Sequence, residues 1–155
     1  MIPVRRLNHA VLFVSDIQRS IDFYQNLFGF SIVYFDRSAK AAFLRAKDSL
    51  NHHDLGLFGL GGNAQKPKMG QIGLYHLAWE IDSIQDLAKS QQDLININAF
   101  TGQSDHGATK SIYGKDPDGN QFEIMWMLPK DKWGDYESKA IVEPLNLENE
   151  INMWG

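Results

Sequence analysis

Apolar and polar positions along the chain run through the same cycle twice. Residues 7–14, Leu-Asn-His-Ala-Val-Leu-Phe-Val, form a strand-like run that is apolar on both faces and closed by polar residues. His9 shares one face of that run with Leu7, Val11 and Phe13. Ser15 stands where a helix cap is needed, with Gln18 placed for a capping box. Ile17, Ile21, Tyr24 and Phe28 then follow at spacings of four, three and four, one helical stripe that Gly29 ends. Strands are expected around 30–35, 41–46 and 53–58. The second cycle places His76 on a strand face with Leu74, Ala78 and Glu80, then a helix with Ile84, Leu87, Ala88, Gln91 and Leu94 on its packing side. A short strand near 95–100, a polar loop at 101–107 and a strand at about 109–114 follow. A turn at Asp116-Pro117-Asp118-Gly119-Asn120 leads to a strong strand at 121–128.

The repeat is one of residues as well as of pattern. Leu7, His9, Ile17, Gln18 and Leu27 recur as Leu74, His76, Ile84, Gln85 and Leu94, each sixty-seven positions later. A repeat fixes the architecture before any single element does. The expectation is an α+β fold of two tandem βαβββ modules, 1–60 and 73–128, joined by a Gly- and Pro-containing linker at 61–72 and forming a cupped mixed sheet. The extension at 129–155 carries scattered Trp, Tyr, Ile and Leu among charges and is expected to drape over the domain or a neighbouring subunit, a disordered tail being the alternative.

Composition narrows the chemistry. Cysteine is absent, so disulfides and thiolate metal sites are excluded, and a metal would need His, carboxylate or backbone oxygen. A formal charge of -4 without a long basic run argues against nucleic acid. No apolar run approaches the roughly 20 residues of a membrane span, and Met1–Arg6 lacks the apolar core of a signal peptide. A cytoplasmic setting is expected from these missing signals.

One constellation carries chemistry. Glu123 lies between large apolar residues in the last strand, where a carboxylate is costly unless paired or bound to a cation. His9 and His76 occupy equivalent points of the two modules. A lone strand histidine is ordinarily a hydrogen-bonded core or surface residue, and a lone Glu123 could pair with a lysine or arginine across strands. Taken with the repeat, two imidazoles and one carboxylate match the facial set favoured by non-haem Fe(II), with Mn(II), Zn(II) or Ni(II) as alternatives.

About residues 5–128 resemble the vicinal oxygen chelate superfamily, which includes glyoxalases, fosfomycin-resistance proteins and type I extradiol dioxygenases. The marks are Asn8-His9, the segment from Asp16 to Tyr24, His76, and Asp116 to Asn120 leading to Glu123. Further features are similar to the small catechol-2,3-dioxygenase-like proteins. They are His52-His53-Asp54-Leu55-Gly56-Leu57-Phe58, Tyr113 ten residues before Glu123, Asp105-His106-Gly107 and the segment Glu143 to Leu147. Glyoxalases draw a further glutamate ligand from the strand containing Leu55 and Leu57, and no glutamate occurs in 53–58.

The resemblance implies an Fe(II)-dependent extradiol dioxygenase that opens a catechol-type ring with O2, as a homodimer or higher homo-oligomer. It implies metal ligation by His9, His76 and Glu123, acid–base catalysis by His53, and Tyr113 as a donor that orients a substrate hydroxyl. His106, Phe13 and Met125 are expected at the substrate, with Trp126 as a further apolar wall. The alternatives on this scaffold are a lyase or isomerase working without oxygen and a metal-free ligand-binding resistance protein. The alternatives for single residues are a strand-edge surface place for His53 and a packing role for Tyr113.

Overall fold

The computed structural model describes residues 1–155 except 67 and 69, which fall in the expected linker. The chain divides into two compact units, Met1–Pro67 and Lys68–Gly155.

In the first unit β1 (Ala10–Val14) is followed by α1 (Ile17–Phe28), β2 (Ser31–Asp36), β3 (Ala41–Arg45) and β4 (Leu55–Gly59). The sheet order is β1-β4-β3-β2, with β1 parallel to β4 and the other pairs antiparallel. Alternation sorts the two faces. Leu12, Val14, Ala42, Leu44, Leu55 and Leu57 are buried, and Ile21 and Tyr24 are the buried side chains of the α1 stripe. Each such leucine contributes about 1.5–3 kcal/mol on burial. The opposite face carries Val11 and Phe13, 50% and 68% exposed. The run of residues 7–14 is therefore apolar on both faces, as read, but only one face is core.

The second unit repeats the plan with β5 (Leu77–Ile81), α2 (Ile84–Asn96), β6 (Phe100–Asp105), β7 (Thr109–Lys115) and β8 (Gln121–Met127), ordered β5-β8-β7-β6. Ile84, Leu87, Leu94, Ile112, Phe122 and Ile124 form its core. The fold is thus α+β, two tandem βαβββ modules, each with its own four-stranded mixed sheet. The register repeats too: Val11 faces Gly56 in the first sheet and Ala78 faces Glu123 in the second, both residues displaced by sixty-seven positions.

Several boundaries differ from the sequence expectation. β1 and β5 begin at Ala10 and Leu77 rather than near 7 and 74, because β4 and β8 offer ladder partners only from Leu55 and Phe122 onward. Asp16, not Ser15, caps α1 and accepts from Arg19 N–H, while the Ser15 hydroxyl accepts from the Arg19 guanidinium. The expected strand at 95–100 is the end of α2 plus a reversal at Asn98, whose φ of 56° lies in the left-handed region. The expected loop at 101–107 is mostly β6. Its polar side chains conceal a strand whose backbone pairs with β7 and, at Asp105, with Glu143 of the extension.

The extension itself is ordered on the second unit. Two short 3-10 turns, Lys130–Lys132 and Gly134–Glu137, precede α3 (Leu147–Trp154), which lies against α2. Trp154 meets Trp126 with ring centroids 6.1 Å apart, and buried Lys110 pairs with Asp105 at 2.7 Å and Glu150 at 3.6 Å. Trp126 therefore belongs to the core under α3 and does not share a face with Met125, which corrects its expected place as a substrate wall. Among the described residues no helix is long and apolar enough to cross a membrane.

Candidate metal centre

Each unit brings one part of the candidate set together on the sheet face turned away from its helix. In the second unit Glu123 stands between Ala78 on β5 and Tyr113 on β7 in one cross-strand row. His76, just before β5, reaches the same carboxylate, with Nε2 3.0 Å from Glu123 Oε2. Glu123 is 9% exposed. The separation is that of a hydrogen bond, and it also matches the roughly 3 Å between two cis ligands about 2.1 Å from one ion. Met125 lies one row further on the same face, opposite Glu80 and Ser111.

Tyr113 is held by a second contact. Its hydroxyl lies 2.6 Å from His106 Nε2, and His106 Nδ1 lies 3.0 Å from the Ile141 carbonyl. Burial pushes the Tyr113 hydroxyl above its ordinary value, the Glu123 carboxylate adds to that, and the Ser104 and Ser111 hydroxyls act the other way. The phenol keeps its proton across the neutral range. Both His106 nitrogens are engaged by the protein, so its part in the site runs through Tyr113.

In the first unit His9 is oriented from behind. The Asn8 amide nitrogen donates to Asn51 Oδ1 at 3.1 Å, which leaves Asn8 Oδ1 to accept from His9 Nδ1 at 2.9 Å. The neutral His9 ring therefore carries its hydrogen on Nδ1 and presents an Nε2 lone pair, as happens where a neighbouring acceptor fixes the tautomer of a metal-binding histidine. Asn51 in turn donates to the Asn8 carbonyl and to Asp54, both at 2.7 Å, and accepts from Arg6. Asp54 also accepts from Ala46 N–H at 2.8 Å and the Ser49 hydroxyl at 2.7 Å. Burial opposes the Asp54 charge, but the bonds from Ser49, Ala46 and Asn51 prevail and hold its carboxyl below the usual value.

This network presents His53. Its ring centroid lies 4.4 Å from that of His9 and 4.7 Å from that of Phe43. Strand parity would have put His53 with Leu55 and Leu57, which are core. It escapes that parity because β4 starts only at Leu55, and the turn tied by Asp54 sends the ring to the other face. His53 Nδ1 is 3.1 Å from His52 Nδ1, whereas its Nε2 is buried with no hydrogen-bond partner. Burial, then the neighbouring His9 and His52, hold the His53 imidazole below its ordinary value. It is neutral at neutral pH. Phe13 lies on this same face, two residues beyond Val11.

The donor types suit a divalent ion: an imidazole and a buried carboxylate in the second unit, and a further imidazole, His9, in the first. Among the described residues, however, no three His, Cys, Asp or Glu side chains are grouped to hold a metal ion. Sequence reasoning missed Asn51 and Asp54 as supports. Asp54 sits inside the expected strand 53–58 with nothing in the sequence to show that it is hydrogen-bonded and buried, and a contact between Asn51 and Asn8 across forty-three positions leaves no local signal.

Comparison with known proteins shows the family and the fold. Residues 6–124 match the Glyoxalase/Bleomycin resistance protein/Dioxygenase superfamily. The chain belongs to that superfamily. It is 26% identical to metallothiol transferase FosB of Lysinibacillus sphaericus (strain C3-41), over 89% of this chain and 94% of the relative. It is 28% identical to catechol-2,3-dioxygenase of Bacillus subtilis (strain 168), over 82% of this chain but only 43% of that enzyme. The crystal structure of a glyoxalase/dioxygenase from Nostoc punctiforme shares the fold, with a TM-score of 0.66 at 22% identity, over 82% of this chain and 94% of that one. The superfamily's members include dioxygenases and transferases, so membership does not choose among reactions.

Proposed function

We propose that the protein is an Fe(II)-dependent extradiol dioxygenase that cleaves the ring of a catechol-type diol, with His9, His76 and Glu123 as the metal ligands. The observation that supports this most is the neighbour of each module's ligand. A neutral His53 stands against His9, and a protonated Tyr113 stands beside Glu123. A reaction that must both take up and return protons next to a metal needs two such groups.

When bound, the metal would supply a Lewis-acidic, redox-active centre for two adjacent oxygens. Everything else falls to the chain. His53 holds or releases a proton at Nε2, the atom that no protein group occupies. Tyr113 fixes the position of one substrate hydroxyl. Phe13 and Met125 give apolar contact to the ring and keep water away. Asn8 keeps the His9 hydrogen on Nδ1, so Nε2 stays available.

The second reading is a metal-dependent reaction on the same donor set without oxygen. It is favoured by the likeness to the metallothiol transferase, which extends over nearly all of that relative, whereas the chain spans less than half of the Bacillus dioxygenase. The two readings separate in one assay. The protein is reconstituted anaerobically with Fe(II), and oxygen uptake is followed against a panel of catechols, with His9→Ala as control. Uptake with a yellow ring-opened product, absent in His9→Ala, is expected. Tight metal binding without uptake would transfer the assignment to the oxygen-independent reading, and failure to bind any divalent ion would leave a metal-free binding protein.

A further inference from the structure

The turn that carries His106 is seated by the extension at three separate points. Asp105 and Glu143 exchange backbone hydrogen bonds of 2.8 and 2.9 Å. The Tyr136 ring covers Gly107, whose φ is +80° and where an added Cβ would lie 2.4 Å from the ring. Between these contacts the Ile141 carbonyl meets His106 Nδ1 at 3.0 Å. A carbonyl oxygen only accepts, so Nδ1 carries a hydrogen. In the neutral ring Nε2 is then an acceptor, and the 2.6 Å contact is a bond that the Tyr113 hydroxyl donates.

We propose that the 141–143 segment is a positioning element of the site. Its Ile141 carbonyl holds His106 in the Nδ1–H tautomer, which turns the Tyr113 hydrogen toward His106, so that the Tyr113 oxygen, which the Ser104 and Ser111 hydroxyls also approach, can meet a substrate hydroxyl only as an acceptor. Tyr113 then receives a hydrogen bond from a substrate hydroxyl rather than giving one, the opposite polarity to the donor role expected from sequence. A bound diol keeps the hydrogen of that hydroxyl, and a ring oxygen with no hydrogen finds no donor at this point. A site built to pair with a hydroxyl rejects analogues lacking it because its own polar group is left unpaired. The extension is therefore more than a wall: it sets the direction of the hydrogen bond offered to substrate. The bearing on substrate rests on the dioxygenase reading, whereas the tautomer does not.

The test is long-range proton–nitrogen NMR on the full-length, 15N-labelled, metal-free protein, with the His106 signals assigned by their loss in His106→Gln. The expected result is hydrogen on Nδ1 in preference to Nε2 by about fivefold or more, the ratio that one net hydrogen bond sustains. Tyr113→Phe should keep that preference, because the carbonyl and not the phenol imposes it. Glu143→Pro removes the N–H that bonds to Asp105 and should lower the preference; Tyr136→Ala, which frees the seat on Gly107, should lower it as well and serves if the proline variant does not fold. An Nε2–H ring in the wild type would overturn the proposal. So would a switch to Nε2–H in Tyr113→Phe, or an unchanged tautomer in the folded extension variants. No arm uses catechol or oxygen, so failure here and failure of the oxygen-uptake assay are separate results.

Discussion

The two modules are copies in register but not in chemistry. The row Val11–Gly56–Phe43 in the first corresponds to Ala78–Glu123–Tyr113 in the second. Each row begins beside an equivalent histidine, His9 or His76. Where the second module has a carboxylate and a phenol, the first has a glycine and a phenylalanine. The room above Phe43 is taken by His53, delivered from a turn and not from a strand. The second module carries its carboxylate on a strand. The first brings its polar group in from a turn and fastens that turn with a buried hydrogen-bonded aspartate. The duplicated scaffold thus holds a carboxylate in one half and an imidazole in the other, which a symmetric pair could not do.

The most damaging way to break this asymmetry is to remove the charge. Glu123→Ala should lower divalent-metal affinity by more than about 100-fold, since supporting residues alone are worth about 10- to 100-fold. Calorimetric titration with Mn(II) would measure it, and an unchanged affinity would remove Glu123 from the donor set. Asn8→Ala attacks the other module from behind. Asn8 is exposed, so thermal stability should hardly change, while metal affinity falls by about 10- to 100-fold as the His9 hydrogen becomes free to move.

Asp54→Asn acts on the turn that presents His53 and should cost about 1–3 kcal/mol in urea unfolding, the usual penalty for breaking a buried hydrogen-bonded group. The same variant has a pH signature. The folded Asp54 carboxyl sits below its ordinary 3.8, so the unfolded chain binds that proton more readily. Its stabilisation is full well above that ordinary value and disappears as pH falls through the depressed folded value. Between pH 7 and 3 the urea midpoint of the wild type should therefore fall more steeply than that of Asp54→Asn. Equal slopes would place the charge elsewhere.

The smallest effect tests the glycine. A Cβ at Gly56 would lie 3.2 Å from a Val11 methyl and 3.4 Å from the Phe43 ring. Gly56→Ala should cost about 1 kcal/mol, the low end of overpacking, visible as a small shift in thermal midpoint. A stabilised Gly56→Ala would mean that the row has slack and that His53 does not need the space.

What could be read from the sequence was whatever depends on local pattern. The repeat, helices α1 and α2, the β7–β8 strands and the Asp116 turn follow from periodicity and turn chemistry; the turn forms as Asp116 accepts from Asp118, Asn120 and Gly119. The equivalence of His9 and His76 was legible for the same reason. What depends on distant partners was not. β6 is a strand because β7 and Glu143 pair with it, although its side chains read as loop. His53 stands out by resemblance alone, since parity along an expected 53–58 strand would put it with the core residues Leu55 and Leu57. Its true setting comes from Asp54, Asn51 and Asn8, a polar network closed across some forty residues. His106 was placed at the substrate, yet what it touches is decided by a carbonyl thirty-five positions later in the extension.

Gly56 also has a consequence for counting. Two copies of a scaffold invite the expectation of two ions per polypeptide. With a hydrogen atom at position 56 in place of a carboxylate arm, the first copy has no anion in its row to balance a dication. Titrated to saturation, the protein should reach its endpoint at one equivalent of metal per chain.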